Sequence, residues 1–184
     1  IKDLILGSEG VLCIVTALTL KLIMPPKFTE TLVMVFDDIK PCIETVPKLL
    51  QTPYIPTAIE FLERELLEIV ERCLNKPFPV PEGNDCLIVM YDASTKEELE
   101  AAQEQAANIA LEMGAKDVKI CNTPERIGSV WSVRAAILEG MKADSQAQEE
   151  CDVVVPRAKI AEFVTAAKEI GKKYSIRVIV CGHA

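Results

Sequence analysis

Histidine, tryptophan and positive charge are scarce in this chain of 184 residues. It contains one histidine, one tryptophan, and 20 Lys and Arg against 28 Asp and Glu, so its formal net charge is −8. Nucleic-acid or anionic-membrane binding requires clustered Lys and Arg, and the composition predicts neither. One histidine cannot make a metal site by itself. An acidic total still permits a local basic pocket for an acidic substrate.

Disulfide frameworks and membrane-spanning segments are also missing. None of the seven cysteines belongs to a Cys-x-x-Cys pair, and most lie in apolar runs such as residues 85–89. This pattern favours small buried side chains in a reducing cytoplasm over disulfides. The longest apolar stretch, residues 11–24, is broken by Thr16, Thr19 and Lys21. It is too short to cross a bilayer, which requires about 20 apolar residues.

What the sequence does contain is an alternation of strand and helix patterns around a Pro25-Pro26 pair. Two prolines end both helix and strand pairing, so we interpret them as a domain boundary. Hydrophobic patterning predicts strands at residues 12–23, 31–36, 58–61, 86–91, 118–121, 152–155 and 176–181. Helices are predicted at 39–50 and 63–74, from a Ser94-Thr95 cap to Gly114, from Thr123-Pro124 onward, and from Pro156 to Gly171.

Two strand–helix–strand stretches of similar length predict an α+β fold. We expect a duplicated, ferredoxin-like antiparallel sheet with helices covering one face. The strand at 12–23 precedes the boundary and is expected to belong to a different domain from the sheet.

Arg134 is the most informative charged residue. It falls on the same helix face as Val130, Trp131 and Leu138, within an apolar stripe. A buried guanidinium needs an anionic partner, because an unpaired buried charge costs several kcal/mol. That partner is either an internal Asp or Glu or a ligand carboxylate held by two parallel hydrogen bonds. The residues alone leave both open, and Trp131 is interpreted as core packing.

Two further places offer weaker signals. Gly7-Ser8-Glu9-Gly10 permits a tight turn or a close approach of backbone to a ligand. Neither the Rossmann nor the P-loop glycine pattern occurs. His183 ends the last predicted strand, where functional residues are common, although its spacing alone indicates only a solvated side chain.

Three segments, in this order, resemble the FAD-linked oxidases of the vanillyl-alcohol-oxidase and para-cresol-methylhydroxylase superfamily, in its glycolate-oxidase and D-lactate-dehydrogenase branch. They are DLILGSEGVLCIVT with LKL, TPER with WSVR, and the stretch from CDVVVPR to CGHA. The resemblance implies that residues 1–26 end an FAD-binding domain and that residues 27–184 form most of the C-terminal cap or substrate domain. Ile1 is not Met, so we expect that the chain begins within a longer protein or has been processed. The resemblance implies that the N-terminal half of the FAD-binding domain and part of the metal site are missing, so we expect the fragment to be inactive alone.

The resemblance also implies roles for individual residues. Arg134 would bind the substrate carboxylate, and His183 would act at the substrate hydroxyl, as a catalytic group or as a ligand of a divalent metal such as zinc or iron. Backbone groups of one segment would contact FAD: Gly7, Ser8, Glu9, Gly10, Val11, Leu12, Cys13, Ile14 and Val15.

The reaction implied is oxidation of a 2-hydroxyacid, such as glycolate or D-lactate, to a 2-oxoacid. Hydride would pass to the flavin, and electrons would leave through an electron-transfer flavoprotein or an iron–sulfur subunit. The alternative hypothesis is a non-enzymatic α+β module for small-ligand binding or assembly. The oligomeric state is left open, with a homodimer among the options.

Overall fold

A five-stranded antiparallel sheet organises the computed structural model, which describes residues 1–79, 85–145 and 147–183. The strands are β1 (Phe28–Phe36), β2 (Ala58–Glu63), β3 (Asp85–Ala93), β4 (Asp117–Cys121) and β5 (Cys181–His183). The helices are α1 (Lys2–Ile5), α2 (Ile39–Leu49), α3 (Arg64–Leu74), α4 (Lys96–Glu112), α5 (Pro124–Ala135), α6 (Ile137–Asp144) and α7 (Ile160–Tyr174), with a 3-10 turn at Arg157–Lys159.

The strand order is β4-β1-β3-β2-β5, and every neighbouring pair is antiparallel. The first four strands, with α2 and α4 as crossovers, have the order of one ferredoxin-like unit, and α3 is inserted between β2 and β3. From the second half of the chain, β5 joins the sheet beside β2. The predicted α+β class, with an antiparallel sheet covered by helices, is therefore confirmed.

Helices cover both faces of the sheet, so the expectation of one covered face was wrong. Leu32, Met34 and Phe36 pack beneath α2, α4 and α7, whereas Val33 and Val35 pack beneath α3 and α5. The reason is visible in β1, where apolar residues occupy consecutive positions and not alternate ones. A strand that is apolar on both sides must be buried on both sides.

Capping residues begin two of the helices as predicted. Thr95 Oγ1 accepts a hydrogen bond from the Glu98 backbone N–H at 3.2 Å, and Thr123 Oγ1 accepts one from Arg126 at 3.3 Å. Each bond satisfies a donor in the first helical turn that has no partner within the helix. Pro124 follows at the first position of α5, where the missing N–H costs nothing.

Three predicted strands do not form as expected. In the described residues, the segments 12–23 and 152–155 pair with no strand, and of 176–181 only Cys181 is paired. A strand is defined by its backbone hydrogen bonds to a neighbouring strand, and β5 pairs with β2 only from Cys181 to His183. The preceding Val180 N–H donates instead to the Glu63 carboxylate at 3.2 Å.

Gly171 does not end α7, as had been predicted; the helix continues to Tyr174 and ends at Ser175, which has a left-handed backbone. Gly171 is buried because the following chain folds back over the helix. A Cβ at this position would lie 2.6 Å from Val178 Cγ2 and 2.7 Å from the Ile176 carbonyl oxygen. The glycine is therefore a packing requirement.

The cysteine prediction holds only in part. Cys42, Cys86 and Cys121 are buried, and burial raises the pKa of the Cys86 thiol to about 12. The other four are exposed: Cys13, Cys73, Cys151 and Cys181. All seven are free thiols in the structure. Residues 76–84, whose three prolines and one glycine predict a loop, lie partly outside the described residues.

Residues 1–27 contribute no buried side chain and no strand. Val11, Ile14 and Leu22 are each more than 80% exposed. We therefore predict that cutting after Pro26 changes the melting temperature of residues 27–184 by less than about 2 °C, since few core contacts are lost. Calorimetry of both chains tests this, and a drop of 10 °C or more would contradict the proposed domain boundary.

Two carboxylates face each other at one end of the sheet. The register places Asp85 of β3 directly opposite Glu63 of β2. Burial and the negative charge of Glu63 raise the pKa of Asp85 to about 6, with Asp38 adding to the rise and Lys168 opposing it. Like charges directly opposite on neighbouring strands are destabilising.

A raised folded pKa means that the protonated carboxyl is favoured, so the contribution of Asp85 to the stability of the wild type falls as pH rises from about 4 through about 6. Asp85→Asn removes this ionisation. We expect the variant to gain about 1 kcal/mol over wild type at pH 7.5 and much less at pH 5, measured by urea unfolding. Asp92→Asn, at the other end of β3, keeps an oxygen that can accept the hydrogen bond from the Thr29 hydroxyl but loses the charge that strengthens it, so this variant should be slightly less stable than wild type at both pH values.

Candidate functional site

A buried carboxylate, Glu60, brings together the two side chains singled out from the sequence. Glu60 lies in β2, and its side chain is only 6% exposed. Its Oε2 accepts a hydrogen bond from Arg134 Nε at 3.0 Å. Its Oε1 lies 2.6 Å from His183 Nδ1. Residues from β2, α5 and β5 thus meet at one carboxylate.

Helix α5 holds Arg134 over β2 through packing and one anchoring hydrogen bond. Val130 and Val133 are fully buried against the sheet. Trp131 Nε1 donates to the hydroxyl of Thr31, a fully buried residue of β1, at 3.0 Å. Because Arg134 follows Trp131 by three residues, its side chain projects from the same helix face. Trp131 is partly buried and packs against the core, as predicted.

The pairing of β5 with β2 places His183 directly across from Glu60. Side chains at such positions are close enough to interact. One residue earlier, Gly182 lies opposite Phe61, and a Cβ there would lie 3.0 Å from the Phe61 ring. Glycine lets β5 lie against Phe61, and so brings His183 to the carboxylate.

Arg134 and His183 each keep nitrogen atoms that Glu60 does not bind. The Arg134 side chain is 28% exposed, and within the described part of the chain its two terminal Nη atoms have no hydrogen-bond partner. The His183 side chain is 81% exposed, and its Nε2 makes no hydrogen bond to a described residue. Glu60 is thus the internal carboxylate partner considered for Arg134, yet it accepts a hydrogen bond only from the Nε atom of the guanidinium.

A planar guanidinium with two free Nη atoms can bind a carboxylate through two parallel hydrogen bonds. An imidazole with a free Nε2 can exchange a proton with a hydroxyl. The arrangement therefore suits a small molecule that carries a carboxylate and a neighbouring hydroxyl group.

The predicted cofactor-contact segment, Gly7 to Val15, forms no hydrogen bond with the described residues of the Glu60 cluster. Its residues are exposed apart from a partly buried Ser8, and no hydrogen bond joins them to a described residue of the sheet. Gly7, Glu9 and Gly10 have positive φ angles of 80°, 50° and 74°. Two tight turns therefore present this backbone to the outside.

Two properties of the described ranges concern metals and membranes. Within them, no group of three or more His, Cys, Asp or Glu side chains is placed to hold a metal ion. None of the described helices combines the length and the apolar character that crossing a membrane requires.

Comparison with known proteins identifies the family. The family model "FAD linked oxidases, C-terminal domain" matches residues 25–184. The chain belongs to this family. The match covers the whole sheet, Glu60, Arg134 and His183.

Curated relatives of this FAD-linked oxidase domain agree with that result. A D-lactate dehydrogenase of Anaerostipes hadrus is 41% identical over 99% of this chain and 39% of its own length. A D-lactate dehydrogenase of Archaeoglobus fulgidus is 30% identical over 98% and 39%. The glycolate oxidase subunit GlcD of Bacillus subtilis is 28% identical over 98% and 38%. The chain spans about two fifths of the length of these relatives.

Glu60 is the site residue that sequence reasoning missed. A signal was present, because Glu60 stands between Ile59 and Phe61 within a predicted strand. A charge inside an apolar strand requires a partner. Nothing in the sequence, however, indicates that this partner is Arg134, which lies 74 positions away.

We predict that Arg134→Met lowers the free energy of unfolding by about 2–4 kcal/mol, because a buried carboxylate loses its cation. Arg72→Met is a matched control: Arg72 pairs with Asp144, which also keeps a second partner, Arg177, but Arg72 is 63% exposed. The control should cost less than about 1 kcal/mol. Equal losses in urea unfolding would show that the Glu60 pair is energetically an ordinary surface pair.

Proposed function

We propose that this chain forms the substrate side of an FAD-dependent enzyme that oxidises a 2-hydroxyacid to a 2-oxoacid. The observation that carries the proposal is the convergence of Arg134 and His183 on Glu60, with their remaining nitrogen atoms exposed. Membership in the FAD-linked oxidase family supports it, as do relatives named D-lactate dehydrogenase and glycolate oxidase subunit.

In this proposal Arg134 binds the substrate carboxylate through its two Nη atoms. Two-point binding fixes the orientation of the neighbouring carbon, and with it the direction of the C–H bond to be broken. His183 Nε2 accepts the proton of the substrate hydroxyl as a general base. FAD, when bound, supplies the acceptor for the hydride.

Gly7–Val15 is the proposed place of flavin contact from this chain. The exposed backbone at Gly7 to Gly10 fits such a role, because a flavin can approach glycine turns closely. The side chains of Leu12, Ile14 and Val15 are exposed and apolar. The phosphate-binding glycine patterns are missing from this sequence, so the proposal gives these residues only one side of the flavin.

A divalent metal such as zinc or iron fits the described residues poorly. His183 Nε2 is one available ligand atom, and in the described ranges it is not joined by the two further ligands that such a site needs. The steps proposed for Arg134 and His183 therefore do not run through a metal.

The proposed function also implies where this chain lies in the whole enzyme and what the enzyme works with. Residues 1–26 would end an FAD-binding domain, and residues 27–184 would belong to the cap. Electrons would pass to an electron-transfer flavoprotein or an iron–sulfur subunit. The enzyme would work in the cytoplasm, as a monomer or a homodimer. The net charge of −8 continues to argue against nucleic acid as a partner.

A chimera tests the reaction directly. In it, this chain replaces the matching two fifths of the Anaerostipes hadrus D-lactate dehydrogenase. Arg134→Lys should lower kcat/KM for D-lactate or glycolate by roughly 30- to 1000-fold, equivalent to about 2–4 kcal/mol, because Lys cannot make the planar two-point contact. Flavin absorbance per protein should stay unchanged.

The matched control is Arg126→Lys, an exposed position on the same helix, for which kcat/KM should remain within about twofold of the parent chimera. A flavin-loaded chimera that oxidises no 2-hydroxyacid would contradict the proposed function. So would an Arg134→Lys variant whose activity falls only in proportion to its stability.

A further inference from the structure

Glu60 has two oxygen atoms, and each is used by a different proposed site residue. Oε2 accepts from Arg134 Nε at 3.0 Å, and Oε1 lies 2.6 Å from His183 Nδ1. At 6% exposure, the carboxylate has little access to water that could replace either partner. Its orientation is therefore determined by both neighbours at once.

This double contact decides which nitrogen atoms face outward. Because Nε of Arg134 is bound to Glu60, the pair of Nη atoms is left for an external carboxylate. Because a carboxylate only accepts hydrogen bonds, the neutral His183 ring must carry its proton on Nδ1. Its Nε2 then has a lone pair directed away from Glu60 and can accept a proton.

We propose that Glu60 is the positioning residue of the site: it orients the Arg134 guanidinium and sets the tautomer of His183. The inference rests on the proposed function for its catalytic meaning, but the geometric part concerns this chain alone. A carboxylate that orients a histidine through Nδ1 is a general device for making Nε2 available to a substrate or a metal.

The single histidine makes a direct test available. In the 184-residue chain labelled with ¹⁵N-histidine, two-bond ¹H–¹⁵N correlation of the neutral ring in alkaline solution reports the tautomer of His183 alone. Wild type should show predominantly the Nδ1–H form. A predominantly Nε2–H ring in wild type would overturn the inference without any variant.

Glu60→Gln should invert the tautomer. Arg134 Nε–H can only donate, so the Gln oxygen must turn toward Arg134 and the Gln NH₂ toward His183. Nδ1 then has to accept, and the proton moves to Nε2. Failure to invert in a folded variant would overturn the proposed role.

Glu71→Gln is the matched control, since Glu71 also shares its carboxylate between an arginine and a second donor. It accepts from Arg64 Nη2 and from the Phe78 backbone N–H, both at 2.7 Å. It contacts neither Arg134 nor His183. The control should leave the His183 tautomer as in wild type; inversion there as well would point to general loosening and overturn the inference.

Turnover in the chimera separates binding from proton transfer. Glu60→Gln keeps the Arg134 contact but leaves Nε2 protonated, so kcat should fall roughly 100-fold while KM changes little. An inverted tautomer with unchanged kcat would overturn the positioning role. An inactive parent chimera would overturn the proposed function. The tautomer measurement on His183 needs neither flavin nor substrate, so it would still test the role of Glu60 in that case.

Discussion

The antiparallel ladder between β1 and β3 sets the layout of the fold. Nine residue pairs, from Phe28–Ala93 to Phe36–Asp85, join these two strands in the middle of the sheet. Because both strands are apolar on both sides, they require helices above and below. The positions of α5 and α7, and thus of Arg134 and Lys168, follow from covering these two faces.

In strand β2, charged side chains are buried on both faces of the sheet. Glu60 and Glu63 are three residues apart, so their side chains project from opposite faces. Glu60 pairs with Arg134 of α5, and Glu63 lies 2.7 Å from Lys168 of α7. Removing either cation would leave a buried carboxylate, which costs far more than the pair itself contributes. Each acid therefore specifies where its covering helix must lie.

The same feature links stability to chemistry at Glu60. A carboxylate that only balanced charge would need one partner, whereas this one is divided between a guanidinium and an imidazole. Glu60 leaves the two Nη atoms of Arg134 and one ring nitrogen of His183 unused, and these atoms are available to a ligand. In this interpretation a structural ion pair and a substrate site are two sides of one cluster, and the two alternatives first considered for Arg134 are compatible.

Sequence patterns were enough to predict the α+β class, the caps at Thr95 and Thr123, and the apolar face that carries Arg134, because these depend on neighbours within a few residues. The chain's resemblance to FAD-linked oxidases also identified the family. The fold was needed to show that both faces are covered, that segments 12–23 and 152–155 do not pair in the described chain, and that Glu60 joins Arg134 to His183. A strand needs a ladder partner and a buried charge needs a counter-charge, and both come from residues far apart in the chain.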